Sequence, residues 1–322
     1  MTDWYSLRPI DTLFFRGAEP MNRGEQHVTS SHFPPQTSTL EGAVRTTYLI
    51  QKGISFKDYN MGIVDTSIID EIGASDRAPN FYIIGPLVSK NEFLFIPAPY
   101  SWYTDDPEIK KIEDRDNQSV KLKIRKGEVL DDAQGLIFSE YPLLWVKKPE
   151  SEMKSLGGYW IKLNDLYKNK SEKCEVFSTS YFITNELHTG IALTKSRIVH
   201  KGHLYTFNHT RLHEDVLLCF GIEPSISLEP EGIMKIGAEQ RFGMYKKIEN
   251  INIPVGKNGS KYSALSRVAG TEQVNNAVIA TGKIQYIGGY DLARGFHKPM
   301  RGYFPAGTVF NKKVIHNCIA LY

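Results

Sequence analysis

Four histidines lie within fourteen residues of this 322-residue chain and form its densest group of possible metal ligands or acid–base groups: His200, His203, His209 and His213. Zinc could use such a set, but a catalytic zinc site usually adds a carboxylate ligand or base at fixed spacing. The alternative is a row of polar residues on an exposed hairpin, and we expect no metal there. The sequence also lacks a nucleophile elbow, a Walker loop and an HExxH motif. It therefore predicts neither a catalytic centre nor a cofactor.

The same stretch is rich in cations. Between positions 185 and 212, basic side chains alternate with Tyr205 and Phe207, a composition that suits phosphates and stacked bases. A solvated hairpin that binds no ligand is the other interpretation. The candidate RNA-binding residues of this stretch are Lys195, Arg197, His200 and Lys201.

A second basic stretch, TGKIQYIGGYDLARGFHKPMRGYFPAGTVF, covers residues 281–310. Glycines let a backbone approach a ligand closely, and successive amides in such loops can face an anion. The spacing fits neither a dinucleotide-binding motif nor a P-loop, and the same glycines could serve ordinary turns. The candidates here are Gly288, Gly289, Arg294 and Lys298.

A third basic element leads into a predicted helix. The stretch FFRGAEPMNRGEQHVTSSHFPPQTSTLEG carries two arginines, and the first helical turn adds hydroxyls and free backbone amides. A helix N-terminus of this kind binds phosphate readily. The candidates are Arg16, Arg23, Thr37, Ser38 and Thr39.

The same helix has interpretations that need no ligand. Ser38 followed three residues later by Glu41 predicts a capping box, which would explain the hydroxyl at position 38 by itself. Arg45 lies about two turns inside the helix and is a further RNA-binding candidate. An exposed helix arginine without a ligand is the alternative for this residue.

Strands and a few helices must position these residues. The pattern predicts a strand over 4–10, a helix from residue 38 that Gly53 ends, and two strands joined at 89–91. Pro86 and Pro97 would restrict these last two strands to an edge or an end. Further strands are predicted over 157–163, 176–184, 215–223, 233–236, 278–287 and 307–314, and further helices over 65–72 and 263–271.

This pattern predicts an α+β fold built around antiparallel sheets, because many strands accompany few helices without an alternating series. We expect two domains, 1–200 and 201–322. The first would carry a charge-dense, exposed insertion at about 104–135 and a basic hairpin at about 185–212. The second would carry the glycine-rich basic loop at about 282–302.

Composition limits the possible functions. The chain is 41% hydrophobic and 23% charged, and its net charge of +3 does not by itself indicate a nucleic-acid partner. Three widely spaced cysteines predict no disulfide framework. Since the sequence shows neither a membrane-length apolar run nor the core of a signal peptide, we expect a cytoplasmic protein without membrane contact.

The order of the motifs resembles one family from end to end. The stretches LRPIDTLFFRGAEPM, FPPQTSTLEGAVRT, IIGPL, FIPAP, ELHTGIALTKSRIVHKGHLYTF, IGAEQRFG, GKIQYIGGYDL and KPMRGYFPAGTVF together resemble the RAMP-superfamily subunit of type III-B CRISPR (Cmr) effector complexes that is usually called Cmr subunit three. Two features depart from the family pattern. Thr37 stands where proline is often expected, and after Gly288 and Gly289 the next glycine comes only at Gly295.

The resemblance implies two ferredoxin-like, RRM-related domains with antiparallel sheets, plus inserted hairpins and loops. It also implies a binding subunit without a nuclease centre, part of a hetero-oligomer in antiviral defence. Such a subunit holds the 5′ tag of the CRISPR RNA, docks the large Cas-ten-type subunit and lies beside a backbone RAMP subunit. The residues are compatible with this role, although by themselves they do not show RNA binding.

Two other functions stay open. Other RAMP proteins cut CRISPR precursor RNA without a metal, and His27, Tyr205 and Lys201 could serve as acid, base and charge stabiliser. The chain could instead be a protein-only scaffold, in which exposed aromatics and the 104–135 insertion contact neighbouring subunits.

Overall fold

A computed structural model describes residues 1–16, 28–29, 31–115, 118–129, 144–147, 149, 151–167, 173–253, 260–291 and 296–321 of the chain. At residues 28, 200–204, 290–291 and 296–297 it describes the backbone alone. The described part is an α+β structure with mostly antiparallel sheets and few helices, which confirms the predicted fold class at that level. Among the described helices, none has both the length and the apolar run needed to cross a membrane.

The strands of the first 200 residues or so are short, apart from two long ones that form a hairpin. In chain order they are β1 (Asp3–Pro9), β2 (Val28–Thr29), β3 (Tyr82–Lys90), β4 (Phe93–Pro97), β5 (Trp102–Thr104), β6 (Ser119–Lys123), β7 (Arg125–Lys126), β8 (Glu128–Val129), β9 (Leu144–Trp145), β10 (Lys154–Ser155), β11 (Trp160–Lys162), β12 (Lys173–Phe177), β13 (Ile183–Leu193) and β14 (Val199–Leu212).

The remaining strands follow in chain order, and the helices are brief except for the first. The strands are β15 (Val216–Glu223), β16 (Glu231–Lys235), β17 (Phe242–Ile248), β18 (Lys261–Ala264), β19 (Val268–Ala269), β20 (Val278–Ala280), β21 (Gln285–Asp291), β22 (Phe296–Phe304), β23 (Val309–Phe310) and β24 (Cys318–Leu321). The α-helices are α1 (Thr37–Gln51), α2 (Phe56–Asn60), α3 (Thr66–Ile72), α4 (Ile109–Glu113) and α5 (Glu272–Asn275), and 3-10 turns lie at Leu163–Tyr167 and Thr179–Tyr181.

The largest sheet in the described part has nine strands in the order β16-β17-β1-β15-β3-β4-β11-β12-β6. β15 is antiparallel to both β1 and β3, so these two strands run in the same direction and α1 lies on the connection between them. This is a split β-α-β unit. β17 completes it by pairing with the other side of β1.

Helix α1 covers one face of this sheet because its apolar residues recur at helical spacing. Leu40, Ala43, Val44, Thr47 and Tyr48 are all buried. The helix ends as predicted at Gly53, whose φ of 66° is easily adopted only by glycine. The last turn is closed by the amide of Gly53 donating to Ile50 O at 3.1 Å and that of Ile54 donating to Leu49 O at 2.9 Å, the two bonds of a Schellman motif.

A smaller four-stranded sheet repeats this connectivity in the last part of the chain. Its order is β20-β23-β18-β24, and α5 lies between β18 and β20 in the chain. In chain order, β18, β20, β23 and β24 correspond to β1, β3, β15 and β17. In each sheet the third of these strands lies between the first and the second, and the fourth pairs with the other edge of the first. Each unit also carries a hairpin between its second and third strands. We call β13–β14 the first hairpin and β21–β22 the second hairpin.

The two sheets pack against each other through the face of the large sheet that α1 leaves open. Trp4, Leu87 and Ile96 of the large sheet share one apolar cluster with Val309 and Ile319 of the small one. Hydrogen bonds reinforce the contact: the side-chain amide of Asn317 accepts from Gly85 N and donates to Gly85 O, both at 2.6 Å. The units therefore share a core.

The structure differs from the sequence prediction in the charged insertion. Residues 104–135 were expected to form an exposed loop or hairpin, yet β6 is an edge strand of the large sheet and buries Val120 and Leu122. Lys121 and Lys123 alternate with these residues and point outward, and exposed lysines protect an edge strand from pairing with other chains. High charge density thus marked an edge strand, not a loop. Residues 116–117 and 130–135 lie outside the described part.

Two local predictions are also corrected. The helix expected over 263–271 does not form, because residues 261–264 and 268–269 are strands and α5 begins only after Thr271, whose Oγ1 accepts from Val274 N at 3.3 Å. Pro86 does not restrict β3 to a sheet edge, since β3 has neighbours on both sides, although its pairing with β4 covers only residues 88–90. The pairing of β3 with β15 shifts register opposite this proline, between Cys219 and Gly221, which removes the need for a ladder hydrogen bond there.

The predicted domain boundary lies within the first hairpin. Residues 200 and 201 are consecutive positions of β14, and β15 to β17 pair in the same sheet as β1. The large sheet therefore contains strands from both sides of residue 200. The division of the chain into two domains at this residue stays a prediction.

One half-buried cation, the guanidinium of Arg267, joins the second hairpin to the segment before α1. The guanidinium of Arg267 donates from Nη1 to Pro34 O at 2.8 Å and from Nε to Gln285 Oε1 at 2.6 Å, with a longer bond from Nη2 to Phe33 O. Burial lowers the pKa of Arg267 to about 10. The described hydrogen-bond partners of the guanidinium are carbonyl and amide oxygens, and no carboxylate is among them.

Replacing Arg267 should destabilise the protein. We expect Arg267→Met to lower the free energy of unfolding by about 2–4 kcal/mol, because two carbonyls and an amide oxygen lose their donor. Urea unfolding followed by circular dichroism measures this. Arg301→Met, which removes an exposed arginine of the second hairpin, is the matched control and should change stability little. Equal stability of the two variants would contradict the assigned role.

Candidate nucleic-acid interface

The first hairpin projects two cations at its tip. The amide of Arg197 donates to Thr194 O at 2.9 Å and Thr194 N donates to Ile198 O at 2.8 Å, which closes a tight turn with Arg197 at a φ of 60°. Lys195 and Arg197 are both exposed on this turn. With eleven residues in β13, the tip lies roughly 35 Å along the strand from its start. Of the other candidates, His200 and Lys201 are described by their backbone alone, as part of β14.

The base of the first hairpin is fixed to the end of β1 by a polar network. His209 Nδ1 lies 3.0 Å from Thr12 Oγ1 and 3.3 Å from Arg241 Nη2, and its ring stacks on Phe14 and, at 4.2 Å, on His188. Burial, then the charges of His188 and Arg241, lower the pKa of His209 to about 4. The imidazole is therefore neutral at physiological pH and unsuited to act as a general acid there.

Carboxylates neutralise the arginines of this network. Arg241 Nη1 donates to Asp11 Oδ2 at 2.6 Å, and Arg211 donates to both Asp11 and Glu186. The Arg211 guanidinium lowers the pKa of Glu186, and a backbone hydrogen bond from Thr12 lowers that of Asp11. The base of the hairpin thus holds balanced charges, whereas the tip carries net positive charge.

Helix α1 presents its first turn without a side-chain cap. Gln36, not Ser38, occupies the N-cap position, so the predicted capping box is wrong. Ser38 Oγ instead donates to Gln36 Oε1 at 3.4 Å, and Gln36 Nε2 is buried without a hydrogen-bond partner in the described part. The hydroxyl of Ser38 is exposed, and those of Thr37 and Thr39 are half-buried beside it. The three predicted hydroxyl residues are therefore brought together at one helix end.

Arg45 is engaged by the protein itself. Its Nε donates to Ile72 O at 2.8 Å and its Nη2 donates to Ala74 O at 3.1 Å and Arg77 O at 2.9 Å. This guanidinium holds the end of α3 and the loop after it against α1. Arg45 is therefore a half-buried arginine whose guanidinium is bound by main-chain carbonyls. RNA contact by this residue stays a prediction.

The second hairpin approaches the first turn of α1. Burial raises the pKa of Glu41 in the second turn of α1, and the positive charges of Arg45 and Lys298 oppose the rise. Lys298 is exposed, and its aliphatic stem lies over Gly289 at the point where Gly288 interrupts the register of β21 and β22. The link that the structure shows between the second hairpin and the start of α1 is Arg267, which donates to both Gln285 Oε1 and Pro34 O.

The remaining candidates are only partly described. Arg16 is half-buried and forms a backbone bridge with Ser31, while Arg23 and Arg294 lie outside the described residues. Sequence reasoning missed Gln36, Arg241 and Arg267. Arg241 and Arg267 act through partners far away in the chain, which no local motif marks, and Gln36 was missed because Ser38 was assigned as the N-cap.

The described residues offer no metal centre and no activated thiol. No group of three or more possible metal ligands occurs among them. All three cysteines are buried, and burial raises the pKa of Cys219 to about 12 and that of Cys318 to about 11, which leaves both thiols protonated. Of the residues considered for RNA cleavage, His27 lies outside the described part and Tyr205 packs against Phe207 with ring centroids 5.0 Å apart.

Comparisons with known proteins identify a family. A family model described as "CRISPR-associated protein (Cas_Cmr3)" matches residues 5–258. No curated protein sequence is significantly similar to this chain.

Solved structures share the fold. A chain in a cryo-EM structure of the type III-B Cmr-beta bound to cognate target RNA is similar with a TM-score of 0.54 and 16% identity, over 97% of this chain and 87% of that one. A second, from Cmr-beta bound to cognate target RNA and AMPPnP, gives a TM-score of 0.53 and 16% identity, over 95% and 85% of the two chains.

The hydrogen bonds of Arg45 predict a structural effect. We expect Arg45→Met to lower the free energy of unfolding by about 1–3 kcal/mol, because the carbonyls after α3 lose their common donor. Urea unfolding measures this, with the exposed Lys57→Met of α2 as control. If Arg45→Met is as stable as the wild type but binds RNA more weakly, the principal role of Arg45 is RNA binding and not the structural role assigned here.

The lowered pKa of His209 predicts acid sensitivity. Because the unfolded chain binds a proton near pH 6.5 and the folded chain only near pH 4, stability contributed by the neutral ring is complete above about 6.5 and is lost as the pH falls towards 4. The loss should reach roughly 3 kcal/mol, from a difference of about 1.4 kcal/mol per pKa unit. Melting temperatures measured across this pH range should fall less steeply with decreasing pH in His209→Gln than in the wild type. The control His316→Gln replaces an exposed histidine and should show the wild-type pH dependence. Identical slopes would contradict the assignment.

Proposed function

Because the chain belongs to the CRISPR-associated Cas_Cmr3 family, we propose that it is a non-catalytic RNA-binding subunit of a cytoplasmic type III-B (Cmr) effector complex. In this role it holds the 5′ tag of the guide RNA, docks the large Cas-ten-type subunit and lies beside a backbone RAMP subunit. The observation that carries the proposal is the approach of the second hairpin to the start of α1, where Arg267 links Gln285 of β21 to Pro34 O just before the helix.

The strand order supports two ferredoxin-like units. In both sheets the third strand lies between the first and second, and a helix connects the first strand to the second. The segments that join the third and fourth strands, 224–241 and 311–317, contain no α-helix and are fully described. We therefore propose two ferredoxin-like units that each keep the helical connection between their first and second strands and carry one inserted hairpin.

The cations of the two hairpins suit a phosphate backbone. Lys195 and Arg197 are exposed at the tip of the first hairpin, and Lys298 is exposed on the second. None of these three has an ion-pair partner in the described part of the chain, unlike Arg211 and Arg241 at the hairpin base. Unpaired surface cations release counterions when they meet phosphates, which makes such binding salt-dependent.

The helix end adds neutral donors to these charges. The amides of Thr39 and Leu40 donate to Gln36 O, which leaves those of Thr37 and Ser38 at the helix end, beside the hydroxyls of residues 37–39. A phosphate at this end would lie near Lys298, whose charge also offsets that of Glu41. The proposed RNA surface therefore combines one helix end with two projecting hairpins.

Chemistry at the site supports binding without cleavage. The imidazole of His209 stays neutral down to about pH 4, and the thiols of Cys219 and Cys318 stay protonated. No observation in the described residues favours the ribonuclease alternative.

A protein-only scaffold has one feature in its favour. Leu187, Ile191 and Leu193 lie on the same side of β13 and are exposed, with Leu187 at 68%. Exposed apolar residues in a row are typical of protein contacts. Crosslinking from the RNA tag distinguishes the two functions, because a scaffold would give no crosslink to either hairpin.

The proposed function predicts a change in salt dependence. We expect the double variant Lys195→Gln, Arg197→Gln to lower the slope of log affinity against log salt by about 1.4, because each single-strand phosphate that a cation neutralises adds about 0.7 to that slope. Fluorescence anisotropy with single-stranded guide RNA that carries the tag measures this. The double variant Lys57→Gln, Lys312→Gln changes the net charge equally at exposed positions elsewhere and should keep the wild-type slope.

Two outcomes would overturn this proposal. If both double variants show the same slope of log affinity against log salt, the tip of the first hairpin does not bind RNA. Cleavage of precursor RNA by the purified chain in the presence of a chelator would replace the binding role with the ribonuclease alternative.

A further inference from the structure

The edge strand β16 has main-chain groups that no described residue uses. β16 lies at one end of the nine-stranded sheet, where β17 is its neighbour. The amide of Ile236 donates to Arg241 O at 2.9 Å, which fixes the even-numbered residues of β16 as the ones that exchange hydrogen bonds with β17. The amides and carbonyls that point away from β17 are therefore those of Glu231, Ile233 and Lys235.

This open edge is short and has defined limits. Within the described part of the chain, no hydrogen bond reaches the main chain of the three outward-pointing residues. The edge is closed before them, because Glu229 N donates to Gln51 Oε1 at 3.1 Å. After them the chain turns back at Gly237, which has a φ of 80°. An unpaired edge of this kind is a template for another strand.

The side chains of β16 are complementary to a second copy of the same strand. Met234 is buried in the core beneath α1. The residues that alternate with it, Glu231, Ile233 and Lys235, therefore lie on the open face of the sheet. In an antiparallel pair of two β16 strands centred on Ile233, each Glu231 lies opposite Lys235 of the other copy, and every outward amide and carbonyl finds a partner. Glu231 then lies between this lysine and Lys246 of its own chain, 3.9 Å away.

An apolar strip continues from this pair into each copy. Met244 of β17 lies directly opposite Ile233, and Phe242 follows on the same face. Ile233, Met244 and Phe242 are 63%, 52% and 41% exposed. Pairing of the two strands joins the strips of both copies into one continuous apolar surface, and such surfaces are typical of protein contacts.

The opposite edge of the same sheet does not have these properties. On β6 the outward groups of Lys123 are already bound, since its amide donates to Asp106 Oδ2 at 3.3 Å and its carbonyl accepts from Thr104 Oγ1 at 2.8 Å. Lys121, two residues earlier, points the same way, so a second copy of β6 would place lysine opposite lysine. Of the two edges of the large sheet, β16 alone is both open and self-complementary.

We infer that β16 is a self-association site through which two copies of this chain join their large sheets into one antiparallel sheet. The twofold axis passes between the two Ile233 residues and is perpendicular to the sheet, so α1 of both copies lies on one face and both apolar strips lie on the other. Because five-residue strands bury little surface, the dimer dissociates on dilution. The inference goes beyond the proposed RNA-binding role and does not depend on it.

Sedimentation velocity of the full-length chain without RNA, over a wide range of protein concentrations, tests this inference. The wild type should show monomers and dimers in proportions that depend on concentration. Lys235→Glu places two carboxylates opposite each other at both ends of the strand pair and should weaken dimerisation by about tenfold or more. The double variant Glu231→Lys, Lys235→Glu restores opposite charges at both ends and should recover most of the wild-type affinity.

Two further variants locate the contact. Lys121→Glu makes the same change of charge on β6 and should leave the dimer affinity unchanged. Ile233→Pro removes an amide that points away from β17, so it should abolish dimerisation while the pairing of β16 with β17 is kept. The melting temperature of each variant shows whether the fold is intact.

Three outcomes would overturn the inference. If the chain stays monomeric at every concentration, β16 does not pair with a second copy, and its edge is left to a strand of a different protein. If a dimer forms that neither Lys235→Glu nor Ile233→Pro weakens, the copies meet through another surface. If Lys235→Glu weakens the dimer and the double variant does not restore it, the two strands do not pair in this register. The salt dependence of RNA binding is measured separately, so either proposal can fail alone.

Discussion

The structure depends on the pairing of β1 on both of its edges. β15 binds one edge and β17 the other, so a strand from the start of the chain organises segments that come after the first hairpin. Tyr5 and Leu7 of β1 are buried on the face that α1 covers, so a shift of the pairing by one residue would turn both side chains out of the core. The base of the first hairpin and the position of α1 both follow from this arrangement.

Arginine and lysine are used differently in this protein. Arg45 and Arg267 bind main-chain carbonyls with several donors each, and they hold α3 and the second hairpin against the entrance of α1. A guanidinium can serve several oxygens at once because its donors are fixed in one plane. The lysines that we propose to bind RNA, Lys195 and Lys298, are exposed. Their flexible ammonium groups suit a phosphate backbone whose position can vary.

The repeated connectivity explains why two hairpins project from one chain. Each is inserted between the second and third strands of its unit, where an insertion leaves the pairing of the sheet intact. Their surfaces then differ. The first hairpin is tied down at its base by the network around His209 and carries cations at its tip, with an apolar row along β13. The second is joined to the segment before α1 through Arg267, and it exposes Tyr286 and Lys298 on opposite faces. The two hairpins thus offer different chemistry from equivalent positions.

By itself the sequence determined the α+β class, β1, the end of α1 at Gly53, the strands β3 and β4 and the first hairpin, because each depends on local periodicity or on a turn residue. It also located the groups of cations. Tertiary structure alone decided which cations are used by the fold. Arg45 and Arg267 look like any surface arginine in sequence, and only the carbonyls of distant segments turn them into structural residues. It also decided that the charged stretch holding β6 completes the large sheet, and that Lys298 lies near Glu41, since both depend on contacts between residues far apart in the chain.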